Sequence, residues 1–205
     1  MKAPALARYD VGARFYDIVS FERPVYRPAR VRAIELLDLA PGATVLDIGC
    51  GTGLNHPLLA ERIGPTGRIV GVDASESMLA QAARRTCVAG IELVQADVAD
   101  LGAVLAGHRF DAVIATYALS IIEDWRSAWE QSMELLAPGG RAAIVDLAMP
   151  TGAARLLSPA ARFACFTGGV DLMRRPWTLV TDHLREATLE TRMAGHTVVA
   201  VGTAP

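Results

Sequence analysis

The chain has 205 residues, 52% hydrophobic and 20% charged, a globular composition with the length for one domain and a sizeable core. Its 20 basic and 22 acidic residues leave a net charge of -2, which gives no electrostatic footprint for nucleic acid. Three scattered cysteines, Cys50, Cys87 and Cys165, lack paired or CxxC spacing. Neither a disulfide framework nor a metal site is expected from them, and the cytoplasm is the expected compartment.

Met1 to Tyr16 has no apolar core of the kind a signal peptide needs. Arg27 to Leu39 reads as a helix with Val31, Ile34, Leu36 and Leu37 on its apolar side. The first strand is Thr44 to Ile48, introduced by Pro41-Gly42. Glycine-rich Gly49 to Gly53 follows, then a helix near Leu54 to Ile63. A second strand covers Arg68 to Val72, and Ser75 is read as the N-cap for a helix over Met78 to Arg85. A third strand spans Ile91 to Gln95, a fourth Phe110 to Thr116, then an amphipathic helix Asp124 to Leu136. The apolar run Ala112 to Ile122 falls short of the ~20 residues that cross a bilayer, so no stable membrane insertion is expected.

Pro138-Gly139-Gly140 is expected to turn into a fifth strand, Arg141 to Leu147. A helix closing near Leu184 to Glu186 precedes two last strands, Thr188 to Arg192 and Thr197 to Gly202, linked around Ala194-Gly195. So short a link suits only an antiparallel hairpin. Alternation of strands and helices predicts an α/β fold whose sheet is mostly parallel, with helices on both faces. No repeat or linker interrupts residues 1–205, so a single domain is expected.

The strongest chemical signal is Val45-Leu46-Asp47-Ile48-Gly49-Cys50-Gly51-Thr52-Gly53. Alternate glycines let the chain turn sharply and pass close to a ligand, since no Cβ intervenes. NAD-binding domains use G-x-G-x-x-G in this place, but here the third glycine comes one position early. Asp73 closes the second strand, where a carboxylate can accept both hydroxyls of a ribose. Asp97 follows the third strand, where it can take a hydrogen bond from an adenine amino group, with Val98 offering apolar contact to the ring. Each feature alone also reads as a turn or a helix cap.

Together these residues resemble the class I S-adenosylmethionine-dependent methyltransferases, from about Tyr9 to Gly202. The resemblance implies a Rossmann-like, doubly wound, seven-stranded and mostly parallel sheet with a C-terminal antiparallel hairpin, and S-adenosyl-L-methionine as cofactor. It implies that Asp47, Gly49, Cys50, Gly51 and Gly53 contact the methionine part. It also implies that Asp73 holds the ribose, with Ala74 and Met78 beside the adenine and Asp97 facing its amino group. Thr116-Tyr117 would lie under the transferable methyl, and Leu135 to Gly140 matches the family's turn before strand five.

The stretch Tyr9 to Asp17 resembles the paired Tyr-Asp segment of quinone-biosynthesis and phospholipid-type methyltransferases. That likeness implies that residues 1–30 cover the cofactor and that Tyr16 shields the sulfonium, with Tyr26 a second candidate. The Asn-Pro-Pro-Tyr of amino-group methyltransferases is absent from Thr116 to Ser120, and so are the histidines that quinone-type relatives carry near Leu119 and Ser120. Residues 151–176 mix apolar side chains with Arg155, Arg162, Arg174 and Arg175, which suits an insert for an amphipathic, lipid-like acceptor bearing an anionic group and allows peripheral membrane contact. His183 is read as a surface or capping residue, and no catalytic base is assigned. Two alternatives stay open: a quinone-type C-methyltransferase and a non-catalytic S-adenosylmethionine-binding protein. A nicotinamide-dependent oxidoreductase is opposed by the glycine spacing and the hairpin.

Overall fold

The computed structural model describes residues 26–85, 89–152, 155 and 169–205. Tyr16 and the rest of residues 1–25 lie outside the described residues, as does most of 151–176.

Seven strands form one sheet in the order β3-β2-β1-β4-β5-β7-β6. They are β1 (Thr44–Ile48), β2 (Arg68–Asp73), β3 (Gly90–Gln95), β4 (Phe110–Thr116), β5 (Leu136–Leu147), β6 (Arg185–Arg192) and β7 (Thr197–Thr203). The first five are parallel, and β7 pairs antiparallel with both β5 and β6. The expected sheet and hairpin are both present. The winding reverses between β1 and β4, and in open sheets of this kind the crevice for a ligand opens beyond the strand ends at that reversal.

The helices are α1 (Arg27–Leu36), α2 (His56–Ile63), α3 (Glu76–Ala82), α4 (Leu101–Val104), α5 (Trp125–Leu135) and α6 (Thr178–His183). Strand residues alternate between two cores, as a pleat with period two requires. Leu46, Val113 and Ile144 face Trp129 of α5 and Leu179 of α6. Val45, Ile114 and Val145 face Ile34 of α1 and Leu59 of α2. Each fully buried Leu or Ile side chain contributes about 1.5–3 kcal/mol, so the two cores supply most of what holds the sheet between its helices.

Several boundaries differ from the sequence expectation. Helix α1 stops at Leu36 rather than Leu39, because Asp38 takes a left-handed φ of 50°. Helix α2 starts two residues late, since Gly53 has φ 75° and Pro57 sits in the first turn, where its missing N–H costs nothing. Ser75 does cap α3, its Oγ accepting from the Met78 N–H at 3.3 Å, but the helix spans Glu76–Ala82. Pro138-Gly139-Gly140 is not a turn ahead of β5. It is an irregular excursion inside it, where the pairing with β4 jumps from Phe110↔Leu136 to Ala112↔Arg141. The expected helix end at Leu184–Glu186 is replaced by the start of β6, bulged around Glu186, whose φ is 50°.

Candidate functional site

The parallel register sets a row of residues at one edge. Ile48 pairs with Val72 and with Ala115, so Gly49, Asp73 and Thr116 come next in line on neighbouring strands. Asp73 pairs with Gln95, which puts Asp97 two residues beyond the same edge. The two carboxylates and the glycine turn named from sequence therefore meet at one end of the sheet. Asp73 and Ala74 are half-buried, Met78 and Val98 buried, and Asp97 exposed.

The turn itself has three left-handed glycines, Gly49, Gly51 and Gly53 (φ 61°, 54° and 75°). A Cβ at Gly49 would stand 2.6 Å from Ala118 Cβ, so that glycine is required by packing. Among the described residues, a Cβ at Gly51 would meet nothing within 4 Å, so none of them covers that part of the backbone. The Gly51 N–H donates to Asp73 Oδ2 at 2.8 Å, and the Ser75 N–H donates to Oδ1 at 2.9 Å. These bonds tie the turn to the end of β2 and fix the carboxylate. Cys50 is buried, and burial, with Asp47 and Asp73 nearby, pushes its thiol well above the usual range. It stays protonated and packs as a small apolar group.

Beneath the turn lies a buried polar network that the sequence did not reveal. Asn55 Nδ2 donates to Asp47 Oδ1 at 2.8 Å and to Thr116 Oγ1 at 3.1 Å. Arg30, on α1 and only 6% exposed, donates to Asn55 Oδ1 at 2.7 Å and to Thr116 Oγ1. Its guanidinium carbon lies 5.4 Å from the Tyr117 ring centre. Tyr117 has a left-handed φ of 57°, donates its hydroxyl proton to the Tyr26 carbonyl at 2.9 Å, and stacks at a tilt on the Tyr26 ring. A bulky residue in that region is strained and is held there by its surroundings. Among the described residues, Asp47 Oδ2 and both ring nitrogens of His56 are buried without hydrogen-bond partners, with His56 Nε2 3.5 Å from Asp47 Oδ2. The ring of His56 fills the space that a Cβ at Gly53 or Gly71 would need.

Only the position of Asn55 and His56 just past the glycines signalled their part in this network. Arg30 reads in sequence as a polar helix position and becomes buried only when α1 docks. A clearer signal existed for Asp146, a lone carboxylate inside the apolar run of β5. It is wholly buried and accepts from Ser120 N–H at 3.0 Å, Ser120 Oγ at 2.6 Å and Leu147 N–H at 2.8 Å. Among the other histidines, His183 is exposed at the end of α6 and His196 bonds the Ala148 carbonyl through Nδ1 at 2.8 Å. Among the described residues, no group of three or more His, Cys, Asp or Glu side chains is placed to hold a metal ion. No described helix is long and apolar enough to cross a membrane.

Among the described residues, the uncovered backbone of Gly51, the unpartnered buried oxygen of Asp47 and the fixed carboxylate of Asp73 at the end of β2 fit an adenosyl amino acid as ligand.

Residues 45–140 match the family described as Methyltransferase domain. The chain is 40% identical over 119 residues to the 2-phytyl-1,4-naphtoquinone methyltransferase of Thermosynechococcus vestitus, an alignment covering 58% of this chain and 52% of that protein. It is 32% identical over 136 residues to the demethylmenaquinone methyltransferase of Staphylococcus carnosus, covering 66% and 55%. The chain thus spans about half the length of these curated relatives. The structure of N-methyltransferase NodS from Bradyrhizobium japonicum, bound to S-adenosyl-l-homocysteine, superposes with a TM-score of 0.69 at 17% identity, covering 99% of this chain and 100% of that one.

Proposed function

We propose that this chain is a class I S-adenosylmethionine-dependent methyltransferase that binds its cofactor at the open ends of β1 to β4 and methylates a small, lipid-like acceptor. The observation that carries the reading is the Gly51 N–H bond to Asp73 Oδ2, which joins the glycine turn to the residue expected to hold the ribose. When bound, S-adenosylmethionine supplies a methyl group on a sulfonium, open to in-line displacement.

The chain's own residues bind and orient. Asp73 offers acceptor lone pairs to a ribose diol, and Asp97 one to an adenine amino group, with Ala74, Met78 and Val98 as the apolar side of that subsite. Asp47, wholly buried beneath the turn that takes the methionine part, keeps one oxygen without a hydrogen-bond partner among the described residues, a negative group to offset an ammonium above it. Gly49, Cys50, Gly51 and Gly53 let backbone and ligand approach closely. Thr116 and Tyr117 form the floor near the reacting atoms, and Tyr16 is the proposed aromatic cover, drawn from residues 1–30 of the single domain. Alignment and exclusion of water supply much of the acceleration in such a displacement, so no general base is assigned.

The acceptor is proposed from two directions. The arginine-flanked insert over 151–176 favours an amphipathic molecule met in the cytoplasm. The identity with naphthoquinone and menaquinone methyltransferases favours a second reading, C-methylation of a quinone ring, despite the missing histidines near Leu119 and Ser120. Calorimetry with S-adenosylmethionine, S-adenosylhomocysteine and NAD tests the cofactor. Micromolar binding of the first two and no heat from NAD are expected. Asp73→Ala is expected to cost about 1–3 kcal/mol of that affinity by stranding ribose hydroxyls. An unchanged affinity in this variant refutes the assignment.

A further inference from the structure

We propose that an arginine-walled cleft next to this site binds a phosphate group on the methyl acceptor, a proposal that rests on the methyltransferase reading above. The cleft, of about 450 Å³, lies not over the glycine turn but between the start of α5 and the segment leading into α6. Trp125, Arg126, Asp171, Arg174, Arg175 and Thr178 line it. Three arginines and one aspartate thus share its lining. That carboxylate is already engaged: Asp171 Oδ1 accepts from the Met173 N–H at 2.9 Å, and Oδ2 sits 3.4 Å from Arg174 Nε.

Arg174 is also anchored by donating to the Ile122 carbonyl. Among the described residues, Arg126 and Arg175 have no carboxylate partner. Arg126 is instead pre-positioned, its guanidinium carbon 4.1 Å from the Trp125 ring centre, which lowers the ordering cost of a further bond. Thr178 Oγ1 donates to the Arg175 carbonyl at 2.9 Å and fixes the turn that carries Arg175. Cations supplied by two elements to one cleft match a tetrahedral group with several acceptor oxygens better than a single carboxylate.

The position of the cleft ties it to the acceptor. Residues 117–124 form one loop between two sites. Ala118 and Ile122 pack on the space beside Gly49, while the Ile122 carbonyl receives Arg174 and the Ser120 carbonyl accepts from the Asp171 N–H at 3.1 Å. An acceptor whose reactive atom reaches over Tyr117 has its phosphate on the far side of that loop. Acceptor choice then falls on amphipathic or small phosphoesters rather than on uncharged rings.

The test is titration with inorganic phosphate against chloride at fixed ionic strength, followed by the backbone amide resonances of Arg126, Arg175 and Thr178. Saturable shifts are expected, weakened about tenfold or more in Arg126→Gln/Arg175→Gln. They are expected unchanged in Arg62→Gln/Arg84→Gln, which removes the same charge from exposed positions elsewhere. Both double variants should bind S-adenosylhomocysteine as the wild type does, which shows that they are folded. Absent shifts, or equal affinity in all three proteins, overturn the proposal. Co-sedimentation with phosphatidylglycerol vesicles, lost in Arg126→Gln/Arg175→Gln, assigns the phosphate to a lipid headgroup; binding of glycerol 3-phosphate without vesicle binding assigns it to a soluble ester. Failure of the wild type to bind S-adenosylhomocysteine would instead strike the methyltransferase reading, and it is measured separately from the phosphate titration.

Discussion

Asp146 stands in β5 between Val145 and Leu147, wholly buried, and burial pushes its pKa up to about 6 despite the bonds from Ser120 and Leu147. A folded value above the unfolded one means that its contribution to stability is fully present below about pH 4 and is lost as pH rises through 6. Asp146→Asn does not titrate at this position. The stability of the wild type relative to this variant should therefore fall between pH 4 and 7 by a few kcal/mol, read from urea unfolding at both pH values. A difference that stays flat across that range refutes the assignment. The carboxylate's product is a fixed Ser120, and through it a fixed loop 117–124, which both proposed subsites use. At the glycine turn the demand is steric. Gly49→Ala places a methyl group 2.6 Å from Ala118 Cβ on a left-handed backbone, so cofactor binding should be lost in calorimetry even where the protein remains folded.

Helix α1 shows how an element builds a site from a distance. It docks by Ala29, Ala33 and Ile34, with Leu37 just past its end, and in doing so buries Arg30 against Asn55 and Thr116. Removing that guanidinium leaves a buried amide oxygen without its donor, so Arg30→Met should destabilise the protein by about 1–3 kcal/mol in urea unfolding. An unchanged midpoint would mean that the network has no structural weight. What was legible in the sequence at this scale followed from local rules. The β1-to-glycine run and the final hairpin read correctly because alternation and turn residues act over a few positions; Met193, Ala194 and Gly195 all adopt positive φ between Arg192 and Thr197. Arg30, Asn55 and His56 were missed because their burial depends on contacts across the fold that no periodicity records. The short α4 was missed since four residues carry no helical pattern. The start of β5 was misread because Gly139, with φ 73°, looks the same in a turn as in a bulge.

For the molecule as a whole, the sheet order places the last strand in its interior. Strand β7 lies between β5 and β6 and is buried almost throughout, with Val198 to Gly202 shielded. Strand β6 is the exposed edge, carrying charged residues such as Arg185, Glu190 and Arg192, which discourages pairing with another chain. Deleting residues 185–205 would uncover the β5 edge along Ile144 and Val145. The truncated chain is expected in the insoluble fraction, whereas a soluble, cofactor-binding truncation would show that the hairpin is dispensable.

One further consequence follows from the ring of His56. It occupies a volume that Gly53 and Gly71, eighteen positions apart in the chain, both leave vacant, with a built Cβ at Gly71 falling 2.9 Å from Nε2. The three positions therefore share a single allotment of space. Gly71→Ala alone should be poorly tolerated, and His56→Ala alone should leave a void. Combined, the two should compensate each other in part, because Cys50 Sγ also stands 3.0 Å from the Cβ built at Gly71 and must still give way; suppressor screens and sequence drift at this site ought to move positions 56 and 71 together.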